Sequence, residues 1–587
     1  MFHKLNIFNN WTRGQLILFV GSIINLLYMH YTIIITQNIN SYTSHQNLEF
    51  VSYFFNFSSV LLDTCCLIVI FWGLTLGRIK VSFIITFIVT LIWSFANIQY
   101  SRFFHQYISF SAILQIDSLS NSLLVNCLKG SLKWTDTLFL IWGLIIYKIC
   151  RRTFNEKAFI SICSILSYPI ISYTICFILM AIIYRWGTPR RYFDYYQART
   201  SQILFSSETA SLFPTITTFH RGSIRSLNFW GALRSYELTD KQKKIIEKEI
   251  NSSFLKKTKK NESKEIKNVI FIIVESYLSV TSDLTVNGHE ITPFLNSLKR
   301  NENVYFNGKM QSNICAGESS DGQFIYLTGL LPLRSEITIT KAKCNDLPSL
   351  AKAFKKMGIK KSKMIIPTQP SLWEQNLMCK AYGIEELYSN LDYRQPTGES
   401  ISRELNDEEV FELAVQSDNS TTEPYFSIIL TMSMHEPYSS PIEHDFTLED
   451  TSLPEKYRNY LIACHYTDTQ IAKYFNYLQS TGLSSRSLIV IAADHQAHPT
   501  FLEMDDKISE KIPVYIVNGN INKKTAWLGS CNQLDLYTTI LDIMGSDYKW
   551  NGLGTTLLSP YYNDSVTIKQ EVSDWIINSD YFKGKHY

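Results

Sequence analysis

The chain has 587 residues, 55 Lys and Arg against 52 Asp and Glu, and a formal charge of +3. It is too long for one ordinary domain, and its near-balanced charge gives no reason to expect nucleic acid or another polyanion as partner. Mean hydropathy is −0.03, an average that conceals a split. Residues 14–184 are dominated by apolar runs, whereas residues 240–587 read as a soluble domain.

A membrane-spanning helix needs ~20 mostly apolar residues. Five segments meet that need, at about 14–36, 51–76, 81–100, 133–150 and 158–184. The first is too long for a cleaved signal peptide and lacks a small-residue cleavage site, so it is expected to stay as an anchor. Lys4 and Arg13 precede it, Arg78 and Lys80 follow the second span, and Lys148, Arg151, Arg152 and Lys157 follow the fourth. The loop at 37–50 has no Lys or Arg, and the loop at 101–132 has only Arg102 and Lys129. The basic loops alternate, which places the N-terminus in the cytoplasm and, after five spans, exports the rest of the chain. The loop at 101–132 is read as an amphipathic connector.

The expected organisation is therefore a transmembrane domain of five helices over 1–184, an interfacial helix and linker over 185–265, and an extracytoplasmic domain over 266–587. Within the linker, the lysine-rich stretch Lys241 to Lys267 reads as a solvated helix and flexible connection. Eleven Cys are present, five of them (Cys315, Cys344, Cys379, Cys464 and Cys531) in the soluble half. No CxxC or finger spacing occurs. Export would permit a disulfide, but five Cys cannot all pair with one another.

From residue 268 strands and helices alternate. NVIFIIV at 268–274 and SLIVIA at 487–492 are continuous β-branched runs, the pattern of strands buried on both faces. Weaker strands are expected at 364–367, 426–430 and 513–517, with helices at 347–357 and 460–480. This pattern predicts an α/β domain with a mainly parallel central sheet. Ligands of such sheets bind beyond the carboxyl ends of the strands. NVIFIIV runs into Glu275, and SLIVIAA runs into Asp494 and His495. A Glu, an Asp and a His at one sheet edge suit Zn²⁺ or Mn²⁺.

Between them lies CAGESSDGQ at 315–323. Gly317 permits a tight turn, and Ser319 or Ser320 falls in the first turn of a following helix, where free N–H groups could meet a phosphate. A serine hydroxyl needs a base or a metal before it becomes a good nucleophile. Spacing alone also fits a plain helix cap with no chemistry.

These segments come in a telling order. Glu275 after a strand, TPFLNSL at 292–298, GESSDGQ at 317–323, MHEPY at 434–438, ADH at 493–495, LDLYTTILDIMG at 534–545 and GLGTTLL at 552–558 resemble the lipoteichoic acid synthase-like proteins of the alkaline phosphatase/sulfatase superfamily. That family also carries five N-terminal spans. The resemblance implies an alkaline-phosphatase-like catalytic domain and one divalent ion, usually Mn²⁺ with Zn²⁺ or Mg²⁺ as alternatives, on Glu275, Ser319, Asp494 and His495. It implies that Ser319 stands where the family has a nucleophilic threonine, and that His435 and Trp373 contact the substrate head group. Gln375 stands where the family has an arginine, the better bidentate phosphate ligand. His498 is a further candidate near the metal, or a loop histidine.

The implied activity is transfer of a phospho-head group, of phosphoglycerol type, from a membrane phospholipid to a glycan, lipid or polymer acceptor in the cell envelope. A bacterial cell membrane is the implied location. Phosphoethanolamine transferase, phosphohydrolase and a non-catalytic receptor on the same fold are the alternatives. Sulfatases need a Cys or Ser in a C/S-x-P-x-R signature, and residues 315–319 lack both Pro and Arg.

Overall fold

A computed structural model of the chain describes residues 13–36, 60–61, 64–65, 67–104, 132–151, 237–254 and 266–585, except 316, 334–336, 395–402, 439–441, 443, 450–451, 506–507, 509–510, 559–561 and 563–568. The chain divides into two compact units, one holding the described residues up to 151 and the other those from 237 onward.

In the first unit three helices are described, Arg13–Thr36, Ile79–Phe104 and Trp134–Arg151. Leu18, Phe19, Leu26, Phe83, Phe87 and Ile146 belong to their shared apolar cluster. Small residues allow close approach. A β-carbon on Gly21 would press on the Phe87 ring, and one on Gly143 would meet Leu91. Asn25 donates to Thr90 Oγ1 at 3.3 Å and accepts from Trp142 Nε1 at 3.3 Å. Arg102 pairs with Asp136 through two hydrogen bonds of 2.6 and 2.8 Å, both side chains buried. Leu138, Leu140, Ile141, Leu144 and Ile145 turn outward instead.

Among the described residues one helix, Ile79–Arg102, is long and apolar enough to cross a membrane, and Arg13–Met29 is a shorter apolar helix. The expected second span is described in part, and the expected fifth span, 158–184, lies outside the described residues, as does most of the 101–132 connector.

Among its described residues the second unit carries ten strands: β1 Asn268–Val274, β2 Thr285–Val286, β3 His289–Glu290, β4 Val304–Gln311, β5 Lys361–Ile365, β6 Glu386–Tyr388, β7 Tyr425–Leu430, β8 Ser487–Ala493, β9 Ile512–Val517 and β10 Cys531–Asn532. Eight form one sheet in the order β10-β4-β9-β8-β1-β7-β5-β6. From β8 to β6 every pairing is parallel, while β9 runs antiparallel to both β8 and β4. The sheet is thus mainly parallel, as the apolar runs imply. β1 sits at its centre with all seven residues buried, which is why that segment has no polar face. The expected helices appear as Leu350–Lys356 and Glu455–Ser480.

Helix Asp240–Phe254 differs from the solvated connector its lysines suggest. Its Ile246 and Ile250 are buried, and it packs against helix Lys569–Ser579 of the same unit. The lysines occupy the remaining faces, so composition hides a two-residue apolar stripe. Among the described residues none of the five Cys of this unit forms a disulfide.

Candidate active site

Two neighbouring parallel strands build the floor of the site. β1 and β8 are in register with Val274 opposite Ala493, so the next residues, Glu275 and Asp494 with His495, emerge side by side at the carboxyl edge. Glu275, Asp494 and His495 each offer one ligand atom, all within 4.8 Å of one another, and all three are buried.

Short local bonds fix each group. Ser276, at φ 51°, donates its hydroxyl to Glu275 Oε1 at 2.7 Å and its N–H to Asp494 Oδ1 at 2.9 Å. Asp494 Oδ1 also accepts from the His495 N–H at 2.7 Å. His495 Nδ1 lies 2.9 Å from the Gln496 carbonyl. That carbonyl can only accept, so Nδ1 carries the proton and Nε2 turns a lone pair into the cluster.

The third wall is helix Ser319–Thr328, which starts after Glu318 at φ 43° and ends on Gly329 at φ 67°. Asp321 folds back beneath it and accepts from the N–H groups of Cys315 and Gly317, both at 2.9 Å. Burial pushes the Asp321 carboxyl up to about 7, against the pull of those N–H groups. Ser319 is not a cap, since the cap position belongs to Glu318 and makes no side-chain bond there. Its Oγ lies 3.1 Å from Glu275 Oε2 and 3.1 Å from His495 Nε2.

The helix start offers an anion less than the sequence suggests. The N–H groups of Ser320, Asp321 and Gly322 bond the carbonyls of Gly317 and Glu318 within the turn.

Charge in the cluster is short of a cation. Burial raises Asp494, and the charge of Glu275 raises it further. Burial works against a charged His495, yet Asp494 and then Glu275 outweigh it and hold the imidazole well above its usual range. Burial also works to raise Glu275, but His495 and then His435 draw it below its ordinary value. A proton on His495 and a divalent ion therefore compete for one place. One imidazole nitrogen, two carboxylates and a hydroxyl form an N/O donor set that fits such an ion.

The remaining expected residues are placed as follows. His435 lies close enough for Glu275 to feel its charge, and its Nδ1 lies 2.7 Å from the Glu436 carbonyl. Gln375 is buried and donates to Gln323 Oε1 at 2.8 Å, one helical turn after Ser319. Trp373 is half-buried in the preceding turn at φ 50°, and the structure shows no bond from it to the metal cluster. His498 is more than a loop histidine: its Nε2 lies 3.3 Å from Glu318 Oε2, and its ring centroid is 6.2 Å from that of His495. Ser276, Glu318 and Glu436 were not foreseen. Ser276 and Glu436 directly follow expected residues, and Glu318 directly precedes one, which is the only sequence signal they carry.

A central parallel sheet with this donor set at its carboxyl edge defines the alkaline-phosphatase class of fold. The Sulfatase family model matches residues 267–546. Lipoteichoic acid synthase 2 of Bacillus subtilis is 26% identical over 346 residues, covering 55% of this chain and 52% of that protein. The chain thus spans about half the length of that relative. Lipoteichoic acid synthase of Staphylococcus saprophyticus is 24% identical over 526 residues, covering 85% of this chain and 76% of its own length. The crystal structure of the lipoteichoic acid synthase LtaP from Listeria monocytogenes superposes with a TM-score of 0.45 at 17% identity, over 53% of this chain and 81% of that one. The second unit is thus similar to the sulfatase family, and the chain is similar over most of its length to lipoteichoic acid synthases.

Proposed function

We propose that this chain is a membrane-anchored phosphotransferase that moves a phospho-head group, of the phosphoglycerol or phosphoethanolamine kind, from a phospholipid to an acceptor hydroxyl through a phosphoserine on Ser319. The observation that carries this is the position of Ser319 Oγ, 3.1 Å from both Glu275 Oε2 and His495 Nε2. A serine placed only to cap a helix would turn its hydroxyl to the backbone, as Ser320 does toward the Gly317 carbonyl at 2.6 Å.

One divalent ion on Glu275, Ser319, Asp494 and His495 would lower the hydroxyl pKa and neutralise phosphate charge. Mn²⁺ is the ion the family resemblance favours. The chain's own residues do the rest. The Ser319 hydroxyl points its proton at Glu275 Oε2. Its oxygen forms the new bond to phosphorus as the bond to the diacylglycerol oxygen breaks. His435 would hold the head group or protonate that departing oxygen. In the second step the acceptor hydroxyl attacks the phosphoserine, and Ser319 takes back a proton. Positioning and charge neutralisation supply most of the acceleration in phosphoryl transfer.

The outward-facing Leu and Ile side chains of helix Trp134–Arg151 and the apolar length of Ile79–Arg102 support an anchor in the lipid. Five spans, an exported catalytic unit and a bacterial cell membrane complete the reading. Such an anchor keeps the serine near a two-dimensional supply of donor.

Mass spectrometry of the Ser319 peptide after incubation with membrane lipids tests the proposal. A phospho-head-group adduct is expected, and Ser319→Ala should abolish diacylglycerol release. Release that survives in Ser319→Ala overturns the role of Ser319.

A further inference from the structure

Asp407 is buried and takes no part in the metal cluster. It is the first residue of helix Asp407–Ser420. An acid there ordinarily serves its own helix, by capping it or by facing its dipole. Here its neighbours do that work. Asn406 Oδ1 accepts from the Glu409 N–H at 3.0 Å, and Glu409 Oε2 accepts from the Asn406 N–H at 2.9 Å, which closes a capping box. The Asp407 carboxyl turns instead to the chain that follows β7. Its Oδ1 accepts from the N–H groups of Met432 and Ser433 at 2.7 and 2.9 Å, and its own N–H donates to Ser433 Oγ at 2.9 Å. Its Oδ2 accepts from the Thr467 hydroxyl, on helix Glu455–Ser480, at 2.6 Å. A buried carboxyl is costly unless it is hydrogen-bonded, and these bonds engage both of its oxygens.

The segment so held leads straight to His435. Thr431 leaves β7 beside the end of β1, where its N–H donates to the Ile273 carbonyl at 3.1 Å and its hydroxyl oxygen accepts from the Glu275 N–H at 2.9 Å. The His435 N–H then donates to the Met432 carbonyl at 2.9 Å, closing a turn from Met432 to His435. Asp407 holds the amides of that turn's first two residues. Beyond the histidine, Asn459 of helix Glu455–Ser480 donates to the Tyr438 carbonyl at 2.8 Å, with Tyr438 at φ 56°. The chain is thereby fixed on both sides of His435, and both fixing points trace to the helix that carries Thr467.

We infer that Asp407 is a positioning residue for His435: by holding the amides of Met432 and Ser433 it sets where that imidazole stands relative to Glu275. The inference rests on the role proposed above for His435 and adds what keeps its side chain in place. Asp407 acts only through the turn. A carboxyl suits the task, because one oxygen has lone pairs for two amide donors while the other is anchored by a hydroxyl. A shift of the turn by ~1 Å would carry the imidazole with it, and an error of that size can cost ~10²-fold in rate.

The full chain, in proteoliposomes of phosphatidylglycerol and phosphatidylethanolamine with Mn²⁺, would be assayed for diacylglycerol release. Asp407→Ala is expected to lower release ~10-fold or more. Asp407→Asn keeps an oxygen for the amides of Met432 and Ser433 and should recover most of that loss. In a His435→Ala background Asp407→Ala should cost no more than ~2-fold further, because residues that act as a unit are not additive. Should Asp407→Ala fail to fold, Thr467→Val keeps the acid and loosens its Oδ2; it is expected to lower release ~3-fold alone and to have no effect beside His435→Ala. Bound metal, measured by elemental mass spectrometry, should match the unaltered chain throughout. Equal losses with and without His435 overturn the inference, since Asp407 would then serve the fold at large. A loss of bound metal overturns it too, since Asp407 would then act through Glu275, and so does full release from Asp407→Ala. Undiminished release from His435→Ala removes the role of His435 and this inference with it, leaving Ser319 as nucleophile. No release and no Ser319 adduct from the unaltered chain overturns the proposed function and this inference together.

Discussion

Gly322 faces the main chain of Asp494 so closely that a β-carbon on it would run into the Asp494 carbonyl oxygen. Backbone cannot yield as a flexible side chain can. The contact therefore sets the distance between the helix that carries Ser319 and the strand end that carries Asp494 and His495. Gly322→Ala should separate the two and lower turnover by ~10²-fold, the usual cost of an error near 1 Å in a catalytic constellation. Steady-state kinetics checks this, with circular dichroism confirming that the fold is kept.

Ser319→Thr should keep measurable lipid turnover. The hydroxyl is retained, and a β-branched side chain is tolerated in the first turn of a helix. Diacylglycerol release from the purified variant is the measurement. A complete loss would mean that the added methyl group has no room beside Glu275 and His495.

Chelation should lower the melting temperature of the unaltered protein, because an ion that binds only the folded state stabilises it by mass action. Glu275→Gln should bind the ion more weakly by at least ~10-fold and show a smaller shift on chelation. Metal content by elemental mass spectrometry and thermal melts with and without chelator test both statements.

Asp468 caps a helix from a distance. Helix Pro293–Arg300 lacks a side-chain cap from Thr292, and the N–H groups of Phe294 and Leu295 bond Asp468 at 2.9 and 2.8 Å instead. Burial pushes the Asp468 carboxyl up to about 7, against the pull of those two N–H groups. The folded state then keeps a proton that the unfolded state has lost between about pH 4 and 7, so this group's contribution to stability falls as pH rises through that window. Asp468→Asn should flatten that part of the profile, as denaturant melts at several pH values would show.

Lys363 and Asp418 form a buried pair at 2.7 Å, with Tyr474 donating to the same carboxylate at 2.7 Å. Asp418→Ala strands the ammonium in the interior and should cost ~3–5 kcal/mol of stability. Lys363→Met in the same background should recover part of that loss, which urea melts can separate.

What the sequence disclosed followed from burial. β1 and β8 lie at the sheet centre, and their unbroken apolar runs mark both the strands and the polar residues that end them. β4 was not foreseen because Asn307, Gly308 and Lys309 interrupt it, and its register with β9 shifts between Asn307 and Met310. β6 and β10, with three and two residues, are too short to show a period. The four residues expected at the metal do converge. Spacing alone leaves Ser319 between a cap and a nucleophile, and the structure gives the cap position to Glu318. The acids beyond that set depend on backbone turns at Glu318 and after His435, which leave no periodic trace.

The pairing of β1 with β8 has a consequence for the order of synthesis. Glu275 is made some 220 residues before Asp494 and His495. The central strand must therefore wait for most of the unit to appear before its neighbour exists. An N-terminal fragment that ends before Asp494 lacks two of the three clustered ligand groups, so a truncated product should be inert rather than half-active.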